Sequence, residues 1–364
     1  MTGRTGTTRH VGATTVPEYA VVIPTLGRPS LHTCLTALAR AAGPKPAAIV
    51  IVDDQRPGSG GSVHAQVPDE LRAVTTVVSG GGRGPAAARN TGARTAGAVE
   101  WIAFLDDDVV PGADWCEALA RDLATASGRT AGVTARITVP LPPDRRPTDW
   151  ERGTAGLATA RWITADMAYR REALESVGGF DERFGRAFRE DADLALRVLD
   201  AGWTLAAGSR RTTHPVRPAD RWVSLRQQAG NADDVLMTRL HGRDWWGRAA
   251  APRGRLPRHL LVTGAAVGAL GCAVLRRHRP AALCAAGWLV GCAEFAAARI
   301  APGPRTRREV STMAVTSALI PPAATWHWLR GLFVHRRAAP LATSARPPRH
   351  ADAPDAAAAA RVRA

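Results

Sequence analysis

Apolar and polar residues in the first part of the chain follow a pattern that predicts strands and helices in turn. Four short runs rich in β-branched residues are almost continuously apolar, which is typical of strands buried on both faces of a sheet. These runs cover residues 20–24, 47–54, 73–79 and 100–108. Residues 30–42 and 85–98 have helical periodicity, and Ser30 and Pro85 suit the N-cap and the first turn of these helices. The order predicts an α/β unit whose ligands bind at the carboxyl ends of the strands.

The next part of the chain, up to about residue 250, predicts a second set of elements around one exposed loop. We expect helices over residues 115–126, 189–202 and 231–242, a strand near residues 130–139, and a loop over the proline-rich residues 140–147. Gly202 is well placed to end the second of these helices.

Three consecutive aspartates, Asp106 to Asp108, follow the fourth apolar run. Adjacent carboxylates repel one another unless solvent or a cation relieves them, and Mg²⁺ and Mn²⁺ favour oxygen ligands. Alternate residues of a strand share a face, so Asp106 and Asp108 are expected to face a metal ion that bridges a diphosphate, with Asp107 on the other side. A strand end that merely meets water is the alternative. Asp53 and Asp54 end the second run, where a carboxylate either binds a ribose or base or forms a turn.

A glycine-rich loop over residues 79–92 follows the third strand. Residues 82–87 fit the spacing G-x-G-x-x-A, but the loop follows the third strand of the unit and carries Arg83 where a pyrophosphate needs free approach. A nicotinamide or flavin site is therefore disfavoured. Arg89 and Asn90 lie one helical turn further on and are placed to reach a phosphate or a sugar.

Together these segments resemble the family 2 glycosyltransferases, which have the GT-A fold, over about residues 20–214. VVIPTLGRPSL is similar to the family's opening strand and loop, VDD to its nucleoside-contacting acids, GPAAARNTG to its sugar-proximal helix and FLDDD to its D-x-D metal motif. GGFDERF followed by REDADLALRV is similar to its acceptor-side signature. The resemblance implies an α/β fold of the nucleotide-diphospho-sugar transferase type, a mixed sheet flanked by helices.

The resemblance also implies a role for each matching residue. Asp191, paired with Glu190, would be the general base that takes the proton of the acceptor hydroxyl, and one base without a second nucleophile implies inversion. Glu190 and Asp193 would raise the pKa of Asp191. An acidic helix N-terminus favoured by the helix dipole is the alternative. Mg²⁺ or Mn²⁺ would be held by Asp106, Asp108 and His214. The nucleotide sugar would be bound by Pro24, Thr25, Arg28, Asp53, Asp54, Arg89, Asn90, Asp106 and Asp107.

Two of these comparisons are looser. His214 lies before a proline, where a structural role is the alternative to a place near the metal or diphosphate. The Q-x-x-R-W motif of processive polysaccharide synthases does not appear, because Gln227 and Gln228 are followed by Ala229 and Gly230. We therefore expect transfer of one or a few sugars.

The pattern changes after residue 259. Residues 260–275 and 281–298 form two apolar runs rich in Ala and Gly, near the lower limit of the length that crosses a bilayer. Arginines flank both runs, and three lie in the connection 276–280, which conflicts with a simple hairpin under the positive-inside rule. A membrane hairpin, an interfacial or re-entrant attachment and a soluble helical hairpin all stay open. Residues 310–334 combine aromatic and basic residues and suit an interfacial segment.

The net charge of +16 lies mostly in this last part of the chain. Residues 251–364 carry 17 arginines and 4 acidic residues, whereas the first 250 residues have a net charge of only +3. Binding of nucleic acid needs a basic face on a folded domain, so we expect no nucleic-acid partner. Anionic lipid headgroups are the expected partner of the arginines. The five cysteines contain no C-x-x-C pair, and three lie in apolar runs, which fits a reducing compartment.

We therefore expect four segments: a disordered leader without a secretory signal over 1–18, a GT-A domain over 19–250, a hydrophobic helical membrane-associated region over 256–335, and a disordered tail over 338–364. The predicted function is metal-dependent, inverting, non-processive hexosyl transfer from a nucleotide sugar to a lipid-linked or cell-envelope acceptor. The predicted location is the cytoplasmic membrane, with the catalytic domain facing the cytoplasm. The alternative is a catalytically inactive, nucleotide-sugar-binding membrane scaffold.

Overall fold

The computed structural model describes residues 17–56 and 63–341. The predicted leader up to residue 16 and the predicted tail beyond residue 341 lie outside the described residues. Eight strands form one sheet in the described part of the chain. They are β1 (Tyr19–Thr25), β2 (Ala48–Asp53), β3 (Thr75–Ser79), β4 (Trp101–Leu105), β5 (Val110–Pro111), β6 (Thr130–Thr138), β7 (Asp166–Arg170) and β8 (Thr204–Thr213).

Ten helices precede residue 250 in the described part of the chain. They are α1 (Ser30–Arg40), α2 (Asp69–Arg72), α3 (Pro85–Thr95), α4 (Trp115–Ala124), α5 (Asp149–Ala155), α6 (Arg171–Ser176), α7 (Glu190–Asp200), α8 (Val223–Arg226), α9 (Gly230–His241) and α10 (Trp245–Arg248). Three longer helices follow them: α11 (Leu256–Val274), α12 (His278–Ile300) and α13 (Arg307–Val334).

The sheet is mixed, with strand order β3-β2-β1-β4-β7-β6-β8-β5. Strands β1 to β4 are parallel, β7 runs antiparallel to both β4 and β6, and β6 is parallel to β8. Apolar side chains cover both faces, as the continuous runs predict: Val21 packs with α1 and α4, and Val22 packs on the face of α3 and α7. This arrangement confirms the α/β class and the mixed sheet flanked by helices.

Local details differ from the sequence expectations at two places. Helix α1 begins as predicted, but its N-cap is Pro29, and the Ser30 hydroxyl is buried without a hydrogen-bond partner. Because Pro29 already has helical dihedrals, Ser30 lies inside the first turn, where its hydroxyl cannot cap. Strand β4 ends at Leu105 rather than at Asp108. Gly202 follows α7 with φ of 88°, the left-handed conformation predicted for it.

The last three helices form an exposed hairpin and a crossing helix. Helices α11 and α12, of 19 and 23 residues, are long and apolar enough to cross a membrane by length and composition, and their large apolar side chains are exposed. Arg299, near the end of α12, is buried and bonds Asp149 of α5, Ser224 of α8 and Thr316 of α13. The hairpin is therefore anchored at its base to α5 and α8 of the preceding domain.

Candidate active site

The acidic triplet lies in a tight turn between β4 and β5. Strand β5 pairs antiparallel with β8, with Val110 opposite Thr213, so the residue after β8, His214, lies beside the turn. Ligand atoms of Asp106, Asp108 and His214 all lie within 4.8 Å of one another. The expected pairing of Asp106 with Asp108 thus occurs, but a turn produces it rather than the alternation of a strand.

Each member of this cluster has one atom held by a neighbour. Asp106 Oδ1 accepts a hydrogen bond from Arg89 at 2.7 Å, and Asp108 Oδ2 accepts one from Arg217 Nε at 2.8 Å. His214 Nδ1 lies 3.2 Å from the Pro215 carbonyl oxygen. A carbonyl can only accept, so this contact needs a proton on Nδ1, and the other ring nitrogen, Nε2, lies 3.7 Å from Asp108 Oδ1. The remaining oxygens with Nε2 suit Mn²⁺ or Mg²⁺.

Opposing effects act on the pKa of Asp108. Burial is the main cause that raises the pKa of Asp108 above its ordinary value, and Asp106 raises it further, whereas His214 and Arg217 act to lower it. A divalent cation between these carboxylates would relieve the same repulsion. The donor set therefore fits a metal ion on electrostatic as well as geometric grounds.

Asp107 points away from this pair, toward the loop after β1. Its carboxylate accepts hydrogen bonds from the Thr25 hydroxyl at 2.7 Å and from Arg28 at 3.1 Å. The backbone N–H of Gly27 in turn donates to the Thr25 hydroxyl at 3.0 Å. Asp107 thus fixes the shape of the β1 loop, which is part of the predicted nucleotide site.

A cavity of about 740 Å³ opens above the triplet, at the carboxyl ends of the parallel strands. This volume suits a nucleotide sugar, since small-molecule sites usually measure about 300–1,000 Å³. The predicted residues Pro24, Thr25, Arg28, Asp54, Arg89, Asp106, Asp107, Asp108 and His214 all line it. Gln55, Arg56 and Arg217, which the motifs did not single out, line it as well.

The two acids at the end of β2, Asp53 and Asp54, have separate roles. Asp54 accepts hydrogen bonds from the backbone N–H groups of Arg83 and Gly84, at 3.0 and 2.8 Å, and so closes the glycine-rich loop at the start of α3. Asp53 accepts a hydrogen bond from the backbone N–H of Gln55 at 3.1 Å and does not line the cavity. The structure thus places Asp54, and not Asp53, at the wall of the cavity.

Arg89 and Asn90, adjacent on α3, face different parts of the molecule. Arg89 is buried and bridges Asp106 and Glu190, at 2.7 and 2.8 Å. The Asn90 amide donates to the carbonyl of Phe180 at 2.9 Å and accepts from its N–H at 2.8 Å. Asn90 therefore holds the loop that precedes α7, and of the two only Arg89 lines the cavity.

Glu190 and Asp191 form the first turn of α7, behind Arg89. Burial raises the pKa of Glu190, Asp191 raises it further, and Arg89 opposes both. Burial also raises the pKa of Asp191. The sequence predicted a raised pKa for Asp191, but from the charges of Glu190 and Asp193 rather than from burial. Asp193 is not among the main causes for Asp191, and its bonds to Arg197 and His241 outweigh burial and lower its own pKa. Glu190 and Asp191 do not line the 740 Å³ cavity.

Two buried charged residues, Asp166 and Arg210, lie in the sheet beneath the site, and the sequence motifs did not indicate them. Asp166 of β7 is fully buried and accepts hydrogen bonds from Trp115 at 2.6 Å and from Arg210 at 2.8 Å. Arg210 lies on β8, the strand that brings His214 to the triplet. Only the pairing of distant strands reveals this network, and no local motif indicates it.

A mixed sheet with paired aspartates at the end of a parallel strand, beneath a cavity of this size, defines a GT-A type glycosyltransferase domain. Residues 20–185 match the family model "Glycosyl transferase family 2". This part of the chain is therefore similar to that family.

The chain is also similar to two curated proteins, each named "Pre-mycofactocin glycosyltransferase", from Mycobacterium tuberculosis strains CDC 1551 / Oshkosh and ATCC 25618 / H37Rv. Each is 32% identical over 133 residues, which cover 33% of this chain and 27% of the relative. The match thus spans about a quarter of the length of these relatives.

The chain is also similar to two solved structures at low TM-scores. GalNAc-T7, solved with UDP, GalNAc and Mn²⁺, has a TM-score of 0.42 and 16% identity over 60% of this chain and 51% of its own. The mannosyltransferase PcManGT from Pyrobaculum calidifontis, solved with GDP-Man and Mn²⁺, has a TM-score of 0.46 and 18% identity. That match covers 88% of this chain and 86% of the mannosyltransferase.

Proposed function

We propose that the chain transfers a sugar from a nucleotide-diphosphate donor to an acceptor hydroxyl, with inversion at the anomeric carbon. The observation that carries the proposal is the cluster of Asp106, Asp108 and His214 at the wall of a 740 Å³ cavity in a domain similar to family 2. Asp106, Asp108 and His214 would hold Mn²⁺ or Mg²⁺, which would neutralise the diphosphate of the donor as it leaves.

The residues around the cluster supply binding and positioning. Thr25, the last residue of β1, and Arg28, on the loop after it, would bind the nucleotide, with Pro24 beside them. Arg89 would hold Asp106 in place from behind, while Arg217, which is partly exposed, would add positive charge near the diphosphate. Such fixed charges in a partly closed site stabilise a developing anion without reorganisation.

Asp191 is the proposed general base. In one step the acceptor oxygen bonds to the anomeric carbon, the bond from that carbon to the diphosphate oxygen breaks, and the hydroxyl proton passes to the Asp191 carboxylate. A single displacement inverts the configuration. The raised pKa of Asp191 suits proton uptake closer to neutrality than an ordinary aspartate allows. Glu190, held by Arg89, would fix the start of α7.

The acceptor is proposed to be lipid-linked or part of the cell envelope, and the catalytic domain is proposed to lie at the cytoplasmic face of the membrane. The exposed apolar hairpin of α11 and α12 supports membrane association. Non-processive transfer is supported by Ala229 and Gly230, which stand where the motif of processive synthases would continue.

A thermal-shift panel of UDP-, GDP- and dTDP-sugars, with and without Mn²⁺, tests the donor site. We expect one nucleotide class to stabilise the protein and Mn²⁺ to increase the effect. Asp108→Asn should remove most of the metal-dependent part, because it deletes one anionic ligand. Asp114→Asn is the matched control, since Asp114 lies exposed six residues further on. Metal-dependent binding that survives Asp108→Asn would refute the metal site, and binding without turnover of any acceptor would favour the scaffold alternative.

A further inference from the structure

The cavity of about 740 Å³ above the triplet, proposed to bind the donor, is called the donor cavity below. A second cavity, of about 440 Å³, lies beside it and shares one wall with it. The loop after β8 separates the two: His214 and Arg217 line the donor cavity, and residues 216–221 line the second one. Arg217 belongs to both, and its guanidinium bonds Asp108 at 2.8 Å. The indole N–H of Trp150 donates to the backbone oxygen of Arg217 at 2.7 Å, which fixes this wall. A ligand in the second cavity would therefore adjoin the proposed metal site.

The second cavity is built where the helical hairpin joins the catalytic domain. Its lining includes α5, the loop before α8 and the first turn of α13. Two lining residues, Asp149 and Ser224, bond the buried Arg299 at the base of α12, at 2.8 and 2.9 Å. If the hairpin inserts into a bilayer, the headgroup of a lipid in the near leaflet lies at the level of this cavity.

The charges of the lining favour an anionic ligand. Three of its four carboxylates form ion pairs, Asp149 with Arg299, Glu151 with Arg145 and Asp220 with Arg226. The fourth, Glu309, accepts a hydrogen bond from the backbone N–H of Asp149. By contrast, the cavity arginines at positions 221 and 308 make no ion pair with any residue that the structure describes. Arg221 stacks on Trp222, and Arg308 lies in the first turn of the 28-residue helix α13, whose dipole also favours an anion.

We propose that this second cavity binds a phosphate group of the acceptor, through Arg221, Arg308 and the N-terminus of α13, and so holds the acceptor beside the donor. The proposal rests on the glycosyltransferase function proposed above and adds the acceptor's chemical class to it. A phosphate held here would direct the attached glycan past Arg217 toward the donor cavity. The phosphate could belong to a lipid headgroup or to a soluble phosphorylated acceptor, and the same arginines would bind either.

The test uses the full chain in detergent micelles, with the donor cavity occupied by the nucleoside diphosphate that the donor panel selects and Mn²⁺. Thermal shift and isothermal titration measure the binding of decyl phosphate, inorganic phosphate and, as an uncharged control, decanol. The variant is Arg221→Gln/Arg308→Gln. Its matched control is Arg307→Gln, which changes the same charge one residue away on α13 but does not line the cavity.

We expect decyl phosphate to bind the wild type and Arg307→Gln with equal affinity. Its affinity for the double variant should be at least tenfold lower. The affinity for nucleoside diphosphate should be the same in all three proteins. Decyl phosphate that binds more tightly than inorganic phosphate would identify a lipid source, and equal binding would identify a soluble one. Unchanged affinity of the double variant, or no phosphate binding by a wild type that still binds nucleoside diphosphate, would overturn the phosphate site alone. Failure of nucleoside diphosphate to bind would instead refute the proposed donor function.

Discussion

Arg89 connects the proposed metal site to the start of α7. Its guanidinium is 2% exposed and binds one carboxylate of the metal cluster, Asp106, and one from the start of α7, Glu190. Desolvation acts to lower the pKa of Arg89, but the two carboxylates outweigh it and raise the pKa above its usual value. Arg89 therefore stays charged. The planar guanidinium can serve two carboxylates at once, which a lysine ammonium does not reproduce.

Replacement of Arg89 by alanine should destabilise the fold strongly. It leaves two carboxylates facing each other without their cation, and removal of one partner from a buried ion pair costs about 3–5 kcal/mol. Thermal unfolding in detergent measures the effect. Arg94→Ala is the control, because Arg94 lies exposed on the same helix and should cost about 0.5 kcal/mol or less. Equal shifts for the two variants would show that the bridge contributes nothing.

Asp191→Asn should abolish sugar transfer and leave donor binding intact, because the amide keeps the shape of the side chain but cannot take a proton at neutral pH. Asp200→Asn, near the other end of α7, is the control and should keep its activity. Initial rates and donor titration on the same samples separate the two effects. Turnover by Asp191→Asn comparable to that of the wild type would contradict the assignment of the base.

The pH profile gives a second test of Asp191. Only the carboxylate form can accept the proton, so kcat/KM should fall as the pH drops through the pKa of Asp191 in the folded protein. Because burial raises that pKa, the acidic limb should lie at higher pH than an ordinary aspartate would give. The limb should be missing from any residual activity of Asp191→Asn. A limb at the ordinary aspartate pKa, near 3.9, would contradict the burial argument.

At the scale of elements, local patterns locate β1 to β4, β6 and the longer helices of the domain, but not the short elements or the contacts between distant ones. The ends of β1 and β2 and the start of α3 lie within about one residue of their predicted positions, because continuous apolar runs and Pro85 are local signals. The end of β4 is three residues off, since the turn of the triplet forms through the pairing of β5 with β8, a hundred residues further on. Arg217 was missed for the same reason.

The lack of space around Gly92 shows how closely α3 packs on the sheet. A β-carbon on Gly92 would lie 2.3 Å from Val22 Cγ1, far inside van der Waals contact, so Gly92→Ala should destabilise by about 1–3 kcal/mol despite the better helix propensity of alanine. Gly153 in α5 has open space around it, so Gly153→Ala should stabilise by up to about 1 kcal/mol. Melting temperatures of the two variants should therefore move in opposite directions, and a shared direction would refute the packing argument.

At the scale of the whole molecule, α13 has two apolar faces. One packs against the domain and the hairpin, and the opposite face leaves Leu319, Trp326 and Phe333 exposed at intervals of seven residues. Both ends of α13 contact the preceding domain: Glu309 accepts a hydrogen bond from the Asp149 N–H, and a β-carbon on Gly331 would lie 2.8 Å from Ala232 Cα. A helix held at both ends by one domain cannot cross a bilayer, so α13 lies along the domain surface, as an interfacial segment would.

The hairpin and α13 should therefore make separable contributions to membrane binding. Val267 and Leu289 lie near the middle of α11 and α12, with 63% and 58% exposure, and an aspartate at the centre of a membrane helix costs about 2.5–3.5 kcal/mol. We expect Val267→Asp/Leu289→Asp to change the protein from resistant to extractable when membranes are washed at alkaline pH. The exposed face of α13 should still hold part of it on vesicles with anionic lipids at low salt. Leu141→Asp, in an exposed loop, should stay resistant. A double variant that resists alkaline extraction as the wild type does would show that the hairpin is not the membrane anchor.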